Sequence, residues 1–126
     1  MFSWRRPANL GVNGGRLAPC RSTPNCVSSQ ASPHDAEHYI APIHGDFARA
    51  REAVRGMPRS TVIAEQENYL YAEFRSRLLR YVDDLELYFD GTVIHVRSAS
   101  RLGRRDFGVN RKRVEALRKR IEKPLS

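Results

Sequence analysis

The stretch that decides the fold is VDDLELYFDGTVIHVRSAS, residues 82–100, in which two alternating runs flank Asp90-Gly91. Asp-Gly between apolar runs is the preferred pair for a two-residue type I′ turn, since both central positions need φ > 0. The stretch therefore predicts an antiparallel hairpin with one apolar face toward the core and one charged face away from it. The predicted core pairs are Phe89–Thr92, Leu87–Ile94 and Leu85–Val96, and the opposite pairs are Tyr88–Val93, Glu86–His95 and Asp84–Arg97.

The segments around this hairpin predict two more strands and two helices. Residues 61–67 and 69–76 alternate as strands joined at Asn68, and in the second of them Leu70, Ala72 and Phe74 share one face. Asp46 is expected to cap a helix that ends near Gly56. Asn110 is expected to cap a final helix. That helix has Val114, Leu117 and Ile121 on its inward side and Arg111, Lys112, Arg118 and Lys119 on its outward side.

The chain divides near Gly45. Residues 1–45 hold five of the seven prolines and no sustained period, which predicts an extended Pro-rich arm that packs on the rest. Residues 46–126 then form an α-β-β-β-β-α domain. The predicted fold class is α+β: a four-stranded antiparallel sheet covered by two helices, with an extended N-terminal arm.

Charge is concentrated at one end of the chain. The net charge is +8, and residues 101–123 hold ten Arg or Lys against three Asp or Glu. Such a basic pole favours anionic partners, or simply solubility. No apolar stretch predicts a transmembrane helix or a secretory signal, so we expect a cytoplasmic protein. Phe2 and Trp4, beside Arg5 and Arg6, could place it at the periphery of a membrane.

Cys20 and Cys26 are the only cysteines. Five intervening residues could close a small disulfide loop, but a cytoplasmic location favours free thiols that pack the arm onto the domain. With His34 and His38 they form a Cys-x5-Cys-x7-His-x3-His string, whose spacing fits a zinc site poorly. We therefore predict no metal and no cofactor.

Three acids, Asp83, Asp84 and Glu86, open the first hairpin strand. Alternation places Asp84 and Glu86 on the face opposite the core and Asp83 on the core side. A calcium loop would need more convergent carboxylates and a glycine for its turn. We expect this polar cluster to form internal ion pairs instead, with Arg97 and Arg75.

The segment that joins the last strand to the last helix is a candidate anion or ligand site. It places hydroxyls, arginines and two glycines just before a helix N-terminus, where unpaired N–H groups favour anions. In the alternative, Arg101 pairs internally with Asp83 or Asp106, and Asn110 only caps the helix. The candidate residues are Arg97, Ser98, Ser100, Arg101 and Asn110.

Several motifs along the chain resemble one bacterial and plastid family, domain of unknown function 1499. The resemblance covers residues 16–30 and 70–118 and implies no reaction, because the family has no established activity. Some members carry an export or membrane segment before the cysteine motif, where this chain has the leader MFSWRRPAN. The matching pieces are Leu17, Pro19-Cys20, PNCVSS at 24–29, Phe74-Arg75-Ser76, VDDLE at 82–86, RSASR at 97–101 and DFGVNRKRVE at 106–115.

Three classes of function follow from these observations. The first is a non-catalytic binding module for an anionic small molecule, an acidic lipid surface or an acidic protein. The second is a nucleic-acid-binding protein, although Phe107 is the only aromatic residue within the basic pole. The third is an enzyme of unknown reaction, for which Asp83, Asp84, Glu86, Cys26 and His95 form no recognisable catalytic set.

Overall fold

A computed structural model describes residues 5–77, 81–103 and 105–122; Phe2 and Trp4 lie outside these ranges. The elements are β1 (Cys26–Ser28), α1 (Phe47–Arg55), β2 (Ser60–Gln66), β3 (Tyr69–Arg75), β4 (Val82–Phe89), β5 (Ile94–Ser100) and α2 (Val109–Glu122). Within these residues the fold is α+β, with two helices and one antiparallel sheet. No helix within the described ranges has the length and apolarity needed to cross a membrane.

The sheet has five strands rather than the predicted four, in the order β1-β5-β4-β3-β2. The extra strand comes from the N-terminal segment, where β1 pairs antiparallel with β5 through Cys26–Ala99, Val27–Ser98 and Ser28–Arg97. A strand of three residues between turns has too little sequence to show a period, which is why alternation did not reveal it. The N-terminal segment therefore supplies one edge of the sheet.

The β4–β5 hairpin has the predicted faces but not the predicted register. The observed partners include Phe89–Ile94, Leu87–Val96 and Glu86–Arg97, a shift of two residues from the prediction. The cause is the Asp90 carboxylate, which accepts hydrogen bonds from the backbone of Thr92 at 2.8 Å and Val93 at 2.9 Å. This side chain builds a wider turn than the two-residue loop expected. Because the shift is even, every residue stays on its predicted face.

Both helices pack on the same face of the sheet. The core there contains residues from β1 and the following segment, both helices, and the apolar faces of β3, β4 and β5. The predicted cap of α1 is confirmed, since the Asp46 side chain accepts from Ala48 N–H. At α2 the predicted cap is wrong: the Asp106 carboxylate accepts the N–H groups of Gly108 and Asn110, at 2.9 and 3.1 Å. Asn110 lies within the first turn and is fully buried.

The opposite face of the sheet is covered by the N-terminal segment. Leu17 packs there on Tyr69 and Tyr71, with Leu10 and Tyr88 alongside. The backbone N–H of Gly11 donates to Glu86 Oε2 at 2.7 Å. The polar face of the sheet is therefore an interior surface, and the side chains of the candidate site lie on it.

Replacing Gly91 with Val should lower the free energy of unfolding by about 1 kcal/mol or more, because a β-branched residue resists positive φ. Gly91 has φ +100°, and an added Cβ would meet nothing within 4 Å, so the cost is conformational rather than steric. Thermal and denaturant unfolding would measure it. Thr92→Ala, at the neighbouring exposed position, is the control; equal stability of the Gly91 variant and the wild type would contradict the turn.

Candidate functional site

The face of the sheet that the N-terminal segment (the arm) covers, called the arm-facing surface below, carries a buried layer of tyrosines, carboxylates and arginines. Because side chains alternate along a strand, each of β3, β4 and β5 sends every second residue to this face. Its acids are almost wholly enclosed, with Glu73 2% exposed, Asp84 2% and Glu86 0%. In the sequence, Glu73 and its neighbours Tyr69 and Tyr71 have only the pattern of a face turned away from the core, with no sign that it would be buried. The layer consists of Tyr69, Tyr71, Glu73, Asp84, Glu86, Arg97 and Arg101, with Arg6 from the arm.

Arg101 is the cation that neutralises most of this layer. Its guanidinium binds Asp84 as a fork, Nε to Oδ2 at 2.9 Å and Nη2 to Oδ1 at 2.8 Å. Nη2 also lies 2.7 Å from Glu73 Oε2 and 3.1 Å from the hydroxyl oxygen of Tyr71, so its two N–H bonds are shared among three acceptors. Hydrogen bonds to Asp84 raise the pKa of Arg101 above its ordinary value, against the effect of burial. The predicted partners Asp83 and Asp106 are thus replaced by Asp84 and Glu73.

The tyrosines donate further hydrogen bonds to the buried acids. The Tyr71 hydroxyl shares its one proton between Asp84 and Glu73 Oε2, and the Tyr69 hydroxyl donates to Glu86 Oε2 at 2.5 Å. Burial, followed by the hydrogen bond to a carboxylate, raises the pKa of both tyrosines, so they remain donors. Burial alone would raise the pKa of Glu73, but hydrogen bonds from Arg6, Arg101 and Tyr71 hold it below its usual value. Glu73 is therefore held in its charged form.

One ion pair in the layer is incomplete. Arg97 lies opposite Glu86 in the register of β4 and β5, and neither Arg97 Nε nor Glu86 Oε1 has a hydrogen-bond partner among the described residues. The Arg97 guanidinium makes a long contact of 3.4 Å to the carbonyl of Pro19. Arg97 is 7% exposed, and burial lowers its pKa. A buried cation with an unused hydrogen-bond donor destabilises the folded state unless another group supplies the acceptor.

A cavity of about 410 Å³ adjoins Arg97. Its wall includes Arg5, Arg21, Arg97 and Arg101 against one acid, Asp84. Polar groups of the Cys20–Cys26 loop form another part of the wall, and Pro7, Ala99 and Leu102 contribute apolar surface. Cations, hydroxyls and amides around a concave space of this size suit a small organic anion.

The predicted anion-site residues divide between the two faces of the sheet. Arg97 and Arg101 line the cavity; Ser100 also contributes to its wall, but the Ser100 hydroxyl accepts from Asn110 Nδ2 at 2.9 Å on the helix side. Ser98 and Asn110 lie on the helix side, where the Ser98 hydroxyl donates to Asn110 Oδ1 at 2.6 Å. The N–H groups that start α2 are occupied by Asp106, so this helix N-terminus does not offer them to an anion.

The acidic cluster divides in the same way. Asp84 and Glu86 belong to the arm-facing layer, as alternation predicted. Asp83 lies on the helix side and pairs with Arg113 at 2.8 Å. Arg75, one of the predicted partners, approaches Glu73 at 3.5 Å.

Several arginines of the basic pole bind the N-terminal segment rather than facing solvent. Arg111 donates to the carbonyls of Ala36 and Glu37, both at 3.3 Å. Arg118, which was predicted to point outward, donates to the carbonyls of Pro42 and Ala41 at 2.7 Å. Part of the charge that suggested an anionic partner therefore fastens the segment before α1 to α2.

Cys20 and Cys26 form a disulfide, so the expectation of free thiols is wrong for this structure. The bond closes the loop that carries Arg21, Ser22 and Thr23 on the cavity wall. The spacing allowed this bond, and the expectation failed because it rested on compartment alone. Bonded sulfurs are not thiolate ligands, and no group of three or more His, Cys, Asp or Glu within the described ranges is placed to hold a metal.

His38 ties the disulfide loop to the following turn. Its Nδ1 lies 2.8 Å from Asp35 Oδ2 and its Nε2 lies 2.9 Å from the carbonyl of Thr23. Both partners are acceptors, so the ring donates at both nitrogens when it is protonated. Burial lowers the pKa of His38, but these hydrogen bonds outweigh it, and the pKa lies above its ordinary 6.5.

A serine–histidine–aspartate chain, which sequence reasoning missed, joins β1 to the hairpin turn. Ser29 Oγ lies 3.0 Å from His95 Nδ1, and His95 Nε2 lies 3.1 Å from Asp90 Oδ2. Ser29 is 7% exposed, and its oxygen already accepts the N–H of Val96 at 2.9 Å. A buried hydroxyl occupied in this way is poorly placed to attack a substrate, so we assign a structural role to these three hydrogen-bonded side chains.

The chain belongs to a family of proteins of unknown function, DUF1499, whose model matches residues 16–121. The match spans β1 to α2 and includes the disulfide, Arg97 and Arg101. Neither the curated proteins nor the solved structures yield a significant match. Family membership therefore adds no reaction, and function has to be argued from the site.

Replacing Arg101 with Met should lower the free energy of unfolding by about 3 kcal/mol or more, because it removes the paired cation of the buried Asp84 and one of the cations that bind Glu73. Arg101→Lys keeps the charge but loses the fork, so its loss should be smaller. Urea denaturation would measure both variants. Arg75→Met, which removes a more exposed arginine from the same Glu73, should cost less than about 1 kcal/mol. An Arg101→Met variant as stable as wild type would contradict the layer described above.

Stability should depend on the protonation of His38. Because its folded pKa is raised, its contribution is fully present below about pH 6.5 and is lost as pH rises through the folded value. His38→Gln should remove this part of the pH dependence, as measured by urea denaturation between about pH 5 and pH 9. The exposed His34→Gln is the control and should follow the wild type; an unchanged pH profile in His38→Gln would refute the assignment.

Proposed function

We propose that this protein is a non-catalytic binding module that holds a small organic anion in the cavity beside Arg97. The observation that carries the proposal is Arg97 itself, a buried guanidinium that lines the cavity and whose Nε has no hydrogen-bond partner among the described residues. An anion would supply the missing acceptor and compensate the buried charge.

The difference in hydrogen bonding between Arg101 and Arg97 supports this proposal. Arg101 is already saturated by Asp84, Glu73 and Tyr71, so its function in the layer is to neutralise acids. Arg97 faces Glu86 across the β4–β5 pair and makes the long contact to the carbonyl of Pro19. The more exposed Arg21 adds a second cation on the wall of the cavity. Arg97 and Arg21 are therefore the proposed anion-binding pair.

The volume of the cavity favours an organic anion over an inorganic one. A space of about 410 Å³ lies within the range of small-molecule sites and exceeds the needs of a bare phosphate. Apolar wall from Pro7, Ala99 and Leu102 would contact the carbon part of the ligand. A phosphate monoester or a di- or tricarboxylate of metabolite size combines these properties.

The alternative of nucleic-acid binding receives less support from the geometry. Arg111, Arg113 and Arg118 direct their guanidinium groups to internal partners, which leaves fewer cations on α2 for a phosphate backbone. Steep weakening of binding with added salt would distinguish this alternative from a buried site.

The cytoplasmic location predicted from the sequence stays a prediction. The Cys20–Cys26 disulfide weighs against it, because such bonds persist mainly in oxidising compartments.

Thermal unfolding in the presence of glycerol phosphate, citrate or inorganic phosphate tests the proposal. The two organic anions should raise the melting temperature more than inorganic phosphate does at equal ionic strength. Arg21→Gln should lose most of this stabilisation while its unliganded melting temperature stays close to wild type, since Arg21 is exposed. No stabilisation by either organic anion would argue against the proposal.

Arg120→Gln provides the matched control. It removes the same charge from an exposed position on α2, outside the residues that line the cavity. It should retain the full ligand-induced stabilisation. An equal loss in Arg120→Gln and Arg21→Gln would mean that the effect comes from net charge rather than from the cavity.

A further inference from the structure

The loop before α2 exposes an aromatic side chain to an unusual degree. Phe107 is 86% exposed, whereas the other exposed large hydrophobic residues in the described ranges lie between 36% and 45%. Val109, two residues further on, is 45% exposed. Leaving both side chains in water forgoes the stabilisation that burial would give.

The backbone at this position is strained as well as exposed. Phe107 has φ +54°, one of two non-glycine residues with positive φ in the described part of the chain. A bulky side chain rarely adopts this conformation, and such strain persists only where neighbouring interactions impose it.

The neighbouring interactions are those of Asp106. Its carboxylate accepts from Gly108 N–H at 2.9 Å and from the Asn110 side chain at 2.7 Å. The Asn110 side chain in turn donates to the carbonyl of Asn25 at 3.2 Å and to Ser100 Oγ at 2.9 Å. These hydrogen bonds attach the loop to the sheet on the helix side and keep Phe107 exposed to solvent.

The surroundings of Phe107 are open and basic. A Cβ added to Gly108 would meet nothing within 4 Å, so the backbone protrudes here. Arg105 and Lys112 are exposed on either side along the chain, and Lys112 N–H bonds to the carbonyl of Gly108, one turn into α2. The nearest described acid in sequence, Asp106, is occupied by the helix cap.

We propose that residues 105–109 form a docking tip for an anionic lipid bilayer, with Phe107 inserted at the interface and Arg105 and Lys112 on the headgroups. A single protruding aromatic offers little of the area, about 800 Å² per partner, that a stable protein interface buries. One aromatic side chain with flanking cations instead matches the chemistry of a bilayer interface, where apolar insertion and charge act together. The net charge of +8 has the sign this partner requires.

Co-sedimentation with vesicles tests the tip. The wild type should bind vesicles of phosphatidylcholine and phosphatidylglycerol in equal parts and should bind pure phosphatidylcholine far less. Phe107→Ser should lower the partition coefficient onto the mixed vesicles by about tenfold. Its melting temperature should not fall, because the side chain contributes little to the fold. Val12→Ser, at an exposed apolar site outside the tip, should bind as the wild type does.

Fluorescence gives an independent readout of insertion. The chain has a single tryptophan, Trp4, so a Trp4→Phe, Phe107→Trp variant reports residue 107 alone. Its emission should shift to the blue with mixed vesicles and stay unchanged with neutral ones.

Equal vesicle binding by wild type and Phe107→Ser would overturn the proposal. So would a wild type that binds neither kind of vesicle, which would leave Phe107 to a protein partner. The cavity is a separate matter: Phe107→Ser should keep its stabilisation by organic anions, so the two proposals can fail independently.

Discussion

The interaction on which the rest of the structure depends is the fork between Arg101 and Asp84, extended to Glu73. Strand alternation sends acids from β3 and β4 to the same surface, and the N-terminal segment then covers them. Buried carboxylates are tolerated only with cations and hydrogen-bond donors. Arg101 and Arg6 supply the cations, and Tyr69 and Tyr71 supply donors. With Asp84 and Glu73 paired in this way, the segment can pack on this face, and β1 can extend the sheet.

The same arrangement explains why one position in the layer is left for function. The layer brings three arginines to three acids, so its formal charge is balanced, yet the pairing is uneven. Arg101 holds two of the acids, while Arg97 and Glu86 each keep one polar atom without a partner among the described residues. That imbalance lies at the wall of a cavity to which the disulfide loop contributes a further cation, Arg21. A structural network and a proposed binding site thus share one surface.

Much of the fold could be predicted from the sequence, and the failures have identifiable causes. Period-two patterning placed Leu85, Leu87 and Glu86 on their correct faces. It could not reveal that Asp90 would cap the turn with its side chain, so the register moved by two residues and Arg97 came to face Glu86 instead of Asp84. The partners of Arg101 include Glu73 on a strand two places away in the sheet, and local patterns carry no information about such a contact. The three residues of β1 were too few to show a period.

In the proposed site, Arg97 is the buried cation that receives an organic anion, while Arg101 serves only the network. The most direct measurement is a two-dimensional NMR spectrum of the arginine Nε–H groups during a titration with glycerol phosphate. We expect the Arg97 Nε–H signal to shift most and to become more protected from exchange, while the Arg101 signal stays in place. Shifts confined to exposed arginines, or an unchanged Arg97 signal at saturating ligand, would contradict it.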